Sequence, residues 1–372
     1  MSSLKQSSVT HRTEPPKPAP QLPSCRRLQL PKIHTLCTTD EAARWDAFVQ
    51  AHPHGTFFHL SGWKKVLEQA FGHRTHFLFA EAEDGSVIGV LPLGHLKSRL
   101  FGAQLVSTPF CVYGGSLADS PEIAEALDAE ARRLAAVLRV DYLELRYREP
   151  CHRDWPAKDL YVTFRKQIDP DEETNLSAIP RKQRAMVRKG IAAGLVSRID
   201  EEVDRVHRLY AESVRNLGTP VFSHRYFRTL KEVFAEACEC LVVEHDGRPV
   251  AGVLSFYFRD EVLPYYGGGG QAARALKAND FMYWELMRRA AERGVRVFDF
   301  GRSKRDTGSY DFKRNWGFEP VQLSYEVQLC QASTLPDLSP MNPKYRLLIG
   351  LWKRLPVPVS RLLGPFISRS LG

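Results

Sequence analysis

Helical and strand periodicities alternate along this chain in an order that occurs twice. In the first half a helix is expected from Thr39, with Asp40 as cap and Trp45, Phe48 and Val49 at helical spacing. A second helix starts near Ser61. Alternating apolar and polar positions then predict strands over 76–82, over 87–96 across an Asp84-Gly85 turn, and over 104–107. A helix over about 121–138 leads to a strand over 142–146 and, past a proline-bounded loop, another over 161–168.

Landmarks recur in the second half. Gly55-Thr56 returns as Gly218-Thr219, Asp84-Gly85 as Asp246-Gly247, and Gly89-Val90-Leu91 as Gly252-Val253-Leu254, all offset by 162 or 163 residues. Tyr113-Gly114-Gly115 matches Tyr266-Gly267-Gly268, and Glu144 with Arg146 matches Asp299 with Arg302. A period this long implies a duplicated domain, not a solenoid. Each copy reads as helix, helix, three strands in hairpin connection, helix, strand, loop, strand. The class is therefore α/β, with a mixed sheet in each copy: antiparallel hairpins first, then a crossover helix that makes the fourth and fifth strands parallel. The second crossover helix, over 278–293, carries Met282, Tyr283, Leu286, Met287 and Ala290 on one face, a core stripe rather than a cofactor box. Boundaries follow at 1–34 (a disordered basic tail), 35–178 and 179–332 (the two copies) and 333–372 (a basic amphipathic tail).

Composition changes this picture little, and charge changes where to look. At 372 residues two domains are the default, and 43% hydrophobic with 26% charged residues is ordinary for a globular chain. The formal net charge of +9 resides in the ends: residues 1–34 carry +5 and 341–372 carry +6, leaving −2 for the rest. A nucleic-acid reading of the whole chain loses its support. Seven cysteines without framework spacing fit a reducing compartment. His52, His54 and His59 lack the spacing and carboxylate of a metal site, so no metal is expected. The N-terminal stretch has no apolar core of a signal peptide, and no run of about 18 apolar residues would span a bilayer. A cytoplasmic location is expected, with membrane association at most through the basic C-terminal tail, whose apolar and cationic residues suit an anionic surface or packing on the body equally.

The densest chemistry lies in 298–318. A strand-like run ends at Gly301, and Arg302, Lys304, Arg305, Lys313 and Arg314 follow. Strand ends of α/β sheets are where ligands bind, and Asp299 sits between two phenylalanines, where a carboxylate needs a partner. Such a site suits an anionic ligand; a solvated loop with a structural ion pair is the alternative. Between the copies, Arg181, Arg184 and Arg188 share one helical face that could grip phosphates, as of a tRNA or a nucleotide-linked sugar, or simply be solvated.

The segments 218–227 (GTPVFSHRYF) and 265–270 (YYGGGG), with the 298–318 stretch, resemble the FemAB family of tandem GNAT acyltransferases, nearest its PEP-CTERM/exosortase-associated and exopolysaccharide-linked branch, over roughly 35–365. The resemblance implies two tandem GNAT-like domains and transfer of an acyl or aminoacyl group to a peptidoglycan-related or other envelope glycan precursor, nucleotide- or lipid-linked. It places the family's Phe-Lys pair on Phe312-Lys313, with the lysine stabilising charge near the donor. Two departures keep the donor open between aminoacyl-tRNA and acyl-CoA: 255–301 has no room for the long helical hairpin of the peptidoglycan-bridge enzymes, and GGGGQAARALKAND lacks the second glycine pair of a CoA loop.

The expected mechanism has the fourth and fifth strands of the second copy parting, so that backbone N–H groups meet the tetrahedral oxyanion. Lys313, Asp299 and Tyr310 are the catalytic candidates, with Asp299 orienting Lys313 or Arg302. Phe312, Arg302, Tyr265, Tyr266, Arg181 and Arg188 are candidate substrate contacts, and Gly267 and Gly268 would admit substrate close to the backbone. The rival reading is a non-catalytic module of the same fold that holds an anionic glycan or a partner.

Overall fold

The structure is a computed structural model that describes residues 31–98, 101–334 and 343–371. The expected tail before residue 31 lies outside the described residues. Its last part does not behave as a tail: β1 (Lys32–Thr35) pairs antiparallel with β2 (Arg74–Glu81), and Ile33 packs on the core beneath the first crossover helix. Helix α1 (Thr39–Ala51) is capped by Thr38, not Asp40, because Thr38 and Glu41 form a reciprocal capping box. Helix α2 (Gly62–Val66) runs on through a π turn to Phe71. Strands β3 (Val87–Ser98), β4 (Gly102–Ser107) and β5 (Leu117–Ala118) precede α3 (Pro121–Leu138), which starts at the Ser120 cap with proline in its first turn. Then come β6 (Tyr142–Tyr147), parallel to β4, β7 (Ala157–Lys158) and β8 (Tyr161–Gln167).

The second half repeats the plan. Helices α4 (Glu172–Ala178) and α5 (Arg181–Ala192) lead to β9 (Val196–Asp200), α6 (Asp204–Leu217) and α7 (His224–Phe234). The meander β10 (Cys238–His245), β11 (Arg248–Phe258) and β12 (Glu261–Gly269) follows, then the short α8 (Ala273–Leu276) and the crossover α9 (Ala278–Glu292). Strand β13 (Val297–Asp299) is parallel to β12. The chain continues through β14 (Ser303–Lys304), α10 (Gly308–Asn315), β15 (Pro320–Gln322), β16 (Ser324–Leu329), α11 (Pro343–Trp352) and α12 (Val357–Ser368). None of the described helices is long and apolar enough to cross a membrane.

Two mixed sheets result, ordered β1-β2-β3-β4-β6-β16-β7 and β9-β10-β11-β12-β13-β8-β14, with β5 on β3 and β15 on β8. They correspond strand for strand, but the strand after the parallel pair has been exchanged. β8, from the first half, lies beside β13, and β16, from the second, lies beside β6. The exchange has a visible route: Phe164 to Val162 pairs with Pro320 to Gln322, and Ala157 and Lys158 pair with Glu326 and Tyr325, so two antiparallel segments cross together from sheet to sheet. The sheets therefore do not divide where the sequence divides at 178.

The halves are also joined by a common apolar seam. Phe57 stacks on Phe256 at 4.4 Å and lies tilted against Phe234 at 4.6 Å, and Phe71 lies 4.7 Å from Tyr226. Phe57, Trp63, Phe227 and Phe256 are fully buried there. Four such rings are worth on the order of 10 kcal/mol of burial, comparable with the stability of a whole domain. Residues 31–372 accordingly form one compact unit. Separate cores lie under α3 and under α9 on the outer faces of the two sheets.

Candidate functional site

The two parallel pairs position the chemistry. Strands β12 and β13 are in register for only two pairs, Glu261 with Val297 and Val262 with Phe298, and then part. β12 runs on along β11 to Gly269, while the other chain turns at Gly301 (φ 66°). The parting of these two strands is thus built into the second sheet.

Asp299 lies fully buried at the end of β13. It does not orient Lys313 or Arg302. Its carboxylate accepts from the Gly301 N–H (2.7 Å), the Tyr113 hydroxyl (3.0 Å) and the Thr163 hydroxyl (3.4 Å), and Arg165 Nε lies at ion-pair distance, 3.2 Å. Tyr113 comes from the first half, so this acid fastens the two sheets together. Arg302 sits where the exchanged strands cross: its guanidinium lies 4.8 Å from the Tyr161 ring and donates to the Tyr325 hydroxyl (3.2 Å). Arg146, its counterpart in the repeat, lies over the other side of that junction, 5.1 Å from the Tyr325 ring, and donates to Glu144 (2.8 Å). Burial alone would raise the Glu144 pKa, but Arg146 and Lys158 together hold it at about 2.

Lys313, on α10, points inward. Its three N–H donors are all used, on the carbonyls of Phe300 (2.7 Å), Gly301 (2.9 Å) and Arg302 (3.0 Å). Burial pulls its pKa down to about 7, with Asp299 opposing and Arg302 adding to the fall. The three carbonyls require the ammonium form, so its geometry is that of a clamp on the strand-end loop. Tyr310 packs edge-on against Phe164 at 5.5 Å, and Phe312 against Tyr283, at the same separation. Among the described residues the Tyr310 hydroxyl has no hydrogen-bond partner.

The Tyr265 hydroxyl crosses to the Phe110 carbonyl (2.8 Å), and Tyr266 pairs its hydroxyl with that of Tyr226 (2.8 Å) inside the seam. Gly268 does not admit substrate. A Cβ there would lie 2.7 Å from Ser213 Cβ and 2.9 Å from the Leu209 carbonyl, so glycine is what lets α6 pack on β12. A Cβ on Gly267 would meet the Tyr283 hydroxyl at 2.8 Å, on the α9 side of the sheet. Arg181 and Arg188 are exposed on α5, whose buried positions Gln183, Val187 and Gly190 face α9.

A cleft of about 910 Å³ opens instead on the first sheet, around the parting of β4 from β6. Its lining includes Tyr113-Gly114-Gly115, the start of α3 at Ser120, and Arg146, Arg148 and His152 from the end of β6 onward. Arg148 stacks 4.6 Å from the Tyr113 ring and has no carboxylate partner among the described residues; its Nε is buried without an acceptor. An unpaired guanidinium beside a helix N-terminus is suited to an anion.

Deeper in, His152 bridges Asp128 (3.1 Å) and Glu326 (2.7 Å), which raise its pKa to about 9. Glu125, Asp128 and His152 offer atoms within 4.8 Å of one another. Both ring nitrogens of His152 are already engaged by carboxylates, so this is a protonated imidazole between two acids rather than a metal ligand. The three histidines read from sequence, His52, His54 and His59, all line the cleft, and His59 is held neutral by burial, its pKa down to about 4. Sequence reasoning marked Tyr113, Gly114 and Arg146 only as repeat landmarks and passed over Arg148 and His152; the signal available was the match of Arg146 to Arg302.

A family profile described as an acetyltransferase (GNAT) domain matches residues 177–314. No curated protein matches the sequence. Among solved structures, FemX superposes with a TM-score of 0.61 at 17% identity, covering 86% of this chain and all of FemX. A tandem GNAT protein from the clavulanic acid biosynthesis pathway follows at 0.51 and 16%, covering 82% of this chain and 99% of its own. A conserved Bacteroides thetaiotaomicron protein of unknown function stands at 0.52 and 10%, covering 80% and 99%. At these identities the likeness is one of fold. This chain is thus a doubled, mixed α/β protein of tandem-GNAT-like architecture whose residues 177–314 match a profile described as an acetyltransferase (GNAT) domain.

Proposed function

We propose that this protein is an acyltransferase that moves an acyl or aminoacyl group onto an amine or hydroxyl of an anionic, glycan-type acceptor of the cell envelope or an exopolysaccharide. The observation that carries the reading is the parting of β12 from β13 after two residue pairs, inside the segment that matches the GNAT profile. An acceptor nucleophile attacks the donor carbonyl; the oxyanion forms where unpaired strand N–H groups face the gap. Collapse releases the donor's thiol or ribose hydroxyl, which takes up the acceptor's proton. Lys313 keeps the 300–302 loop in place for this step. The donor is aminoacyl-tRNA, with the exposed Arg181 and Arg188 on its phosphates, or acyl-CoA. The first-sheet cleft, with Arg148 and the α3 N-terminus, receives the acceptor's phosphate or carboxylate.

The test is to incubate the full chain with acyl-CoA or aminoacyl-tRNA and a panel of nucleotide- and lipid-linked sugars, reading products by mass spectrometry. Transfer in one donor–acceptor pair is the expected result. Sugar binding that persists with no transfer from any donor would replace the enzyme by the non-catalytic binding module.

A further inference from the structure

Helix α12 is amphipathic in the wrong sense for a helix that covers a core. Its small residues Ser360, Gly364 and Ser368 are buried, and a Cβ on Gly364 would lie 2.7 Å from Val221 Cγ1. Polar contacts fix that face: Ser368 Oγ donates to the Val221 carbonyl (3.1 Å), Arg369 donates to the Phe71 carbonyl (2.8 Å), and His73 Nε2 meets the Arg369 carbonyl (2.7 Å). The opposite stripe, Val359, Leu362, Leu363 and Phe366 at helical spacing, faces solvent; Leu362 is 69% and Phe366 71% exposed. A surface helix ordinarily shows the reverse pattern. On α11, Leu348 and Leu351 are each 55% exposed as well.

The charges beside this stripe are all of one sign. Residues 341–372 contain six lysines and arginines and no acid. Lys353, Arg354 and Arg361 are exposed, and none has an acidic partner among the described residues. We propose that the outward face of α11 and α12 docks on an anionic membrane surface, with Leu362 and Phe366 entering the headgroup boundary and the three cations meeting lipid phosphates. An apolar stripe flanked by unpaired cations is the pattern that lies in a bilayer interface, and the charge works against a basic partner. Nothing in this inference depends on the acyl-transfer reading.

Co-sedimentation of the full chain decides it. Vesicles containing roughly 30% phosphatidylglycerol are expected to bind the protein, more weakly as salt is raised, and pure phosphatidylcholine vesicles much less. The Leu362→Glu/Phe366→Glu variant and the Arg354→Glu/Arg361→Glu variant should each weaken binding about tenfold or more, with unchanged circular dichroism showing that each is folded. Binding that ignores lipid charge, or that both variants retain, would overturn the proposal. So would absence of vesicle binding, including the case where light scattering shows a dimer abolished by the Leu362→Glu/Phe366→Glu variant, which would make a second copy the occupant.

Discussion

Replacing Lys313 by methionine separates a clamp from a catalyst. Methionine keeps an unbranched side chain of similar length but removes the ammonium that lies 5.5 Å from the Phe164 ring and 6.0 Å from the Phe300 ring, and with it three donors to the carbonyls of Phe300, Gly301 and Arg302. Burial lowers the lysine's pKa to about 7, so the three charge-assisted bonds, at roughly 1.5–3 kcal/mol each, offset only part of the cost of burying the ammonium. Leaving those acceptors unpaired costs about 1–3 kcal/mol apiece before relaxation, so a net loss of about 3 kcal/mol is expected. For a chain of this length that lowers the melting temperature by about 4 °C. Urea unfolding should show an earlier midpoint with an unchanged slope, and turnover should fall together with stability. An unchanged midpoint with turnover abolished would refute the clamp and return the ammonium to the reacting atoms.

Other consequences follow from the same geometry. The His152 pKa is raised from 6.5 to about 9 by Asp128 and Glu326, so its contribution to stability is complete below about pH 6.5 and is lost as pH rises through 9; urea midpoints between pH 6 and 10 should fall in the native chain and stay flatter in His152→Gln. Gly268→Ala forces a Cβ into α6 and should destabilise by about 1–3 kcal/mol, measured by thermal unfolding, whereas Gly294→Ala, where a Cβ meets no atom within 4 Å, loses only what its positive φ of 79° demands, about 1 kcal/mol. Arg148→Ala should leave the melting temperature within about 1 °C, since no ion pair is broken, while raising the KM for an anionic acceptor; an unchanged KM would remove the cleft from acceptor binding.

The sequence by itself determined the parts that depend on neighbours in the chain. Residues at helical spacing place α3 over 121–138 as expected, and the hairpins of β2 with β3 and of β10 with β11 follow from Asp-Gly turns between alternating runs. The twofold order of landmarks, and with it the doubled α/β plan, is equally local in origin. Periodicity reports which face of an element is apolar, and that is settled within a few turns or residues.

What tertiary structure alone decided involves partners far apart in sequence. Asp299 was legible as an acid needing a partner, but Tyr113 and Arg165 come from the other half of the chain, so its role as a fastener was not. Lys313 was marked by motif, while its saturation by three carbonyls depends on how α10 folds back under the strand end. Strand β8 reads as the closing strand of its own copy, and the repeat calls for a matching closing strand in the second. Either sheet edge offers the same backbone donors and acceptors, so hydrophobic pattern cannot tell a strand which sheet to join; only the crossing of 157–164 with 320–326, beside the buried Arg146 and Tyr325 and the half-buried Arg302, makes the exchanged arrangement the one observed.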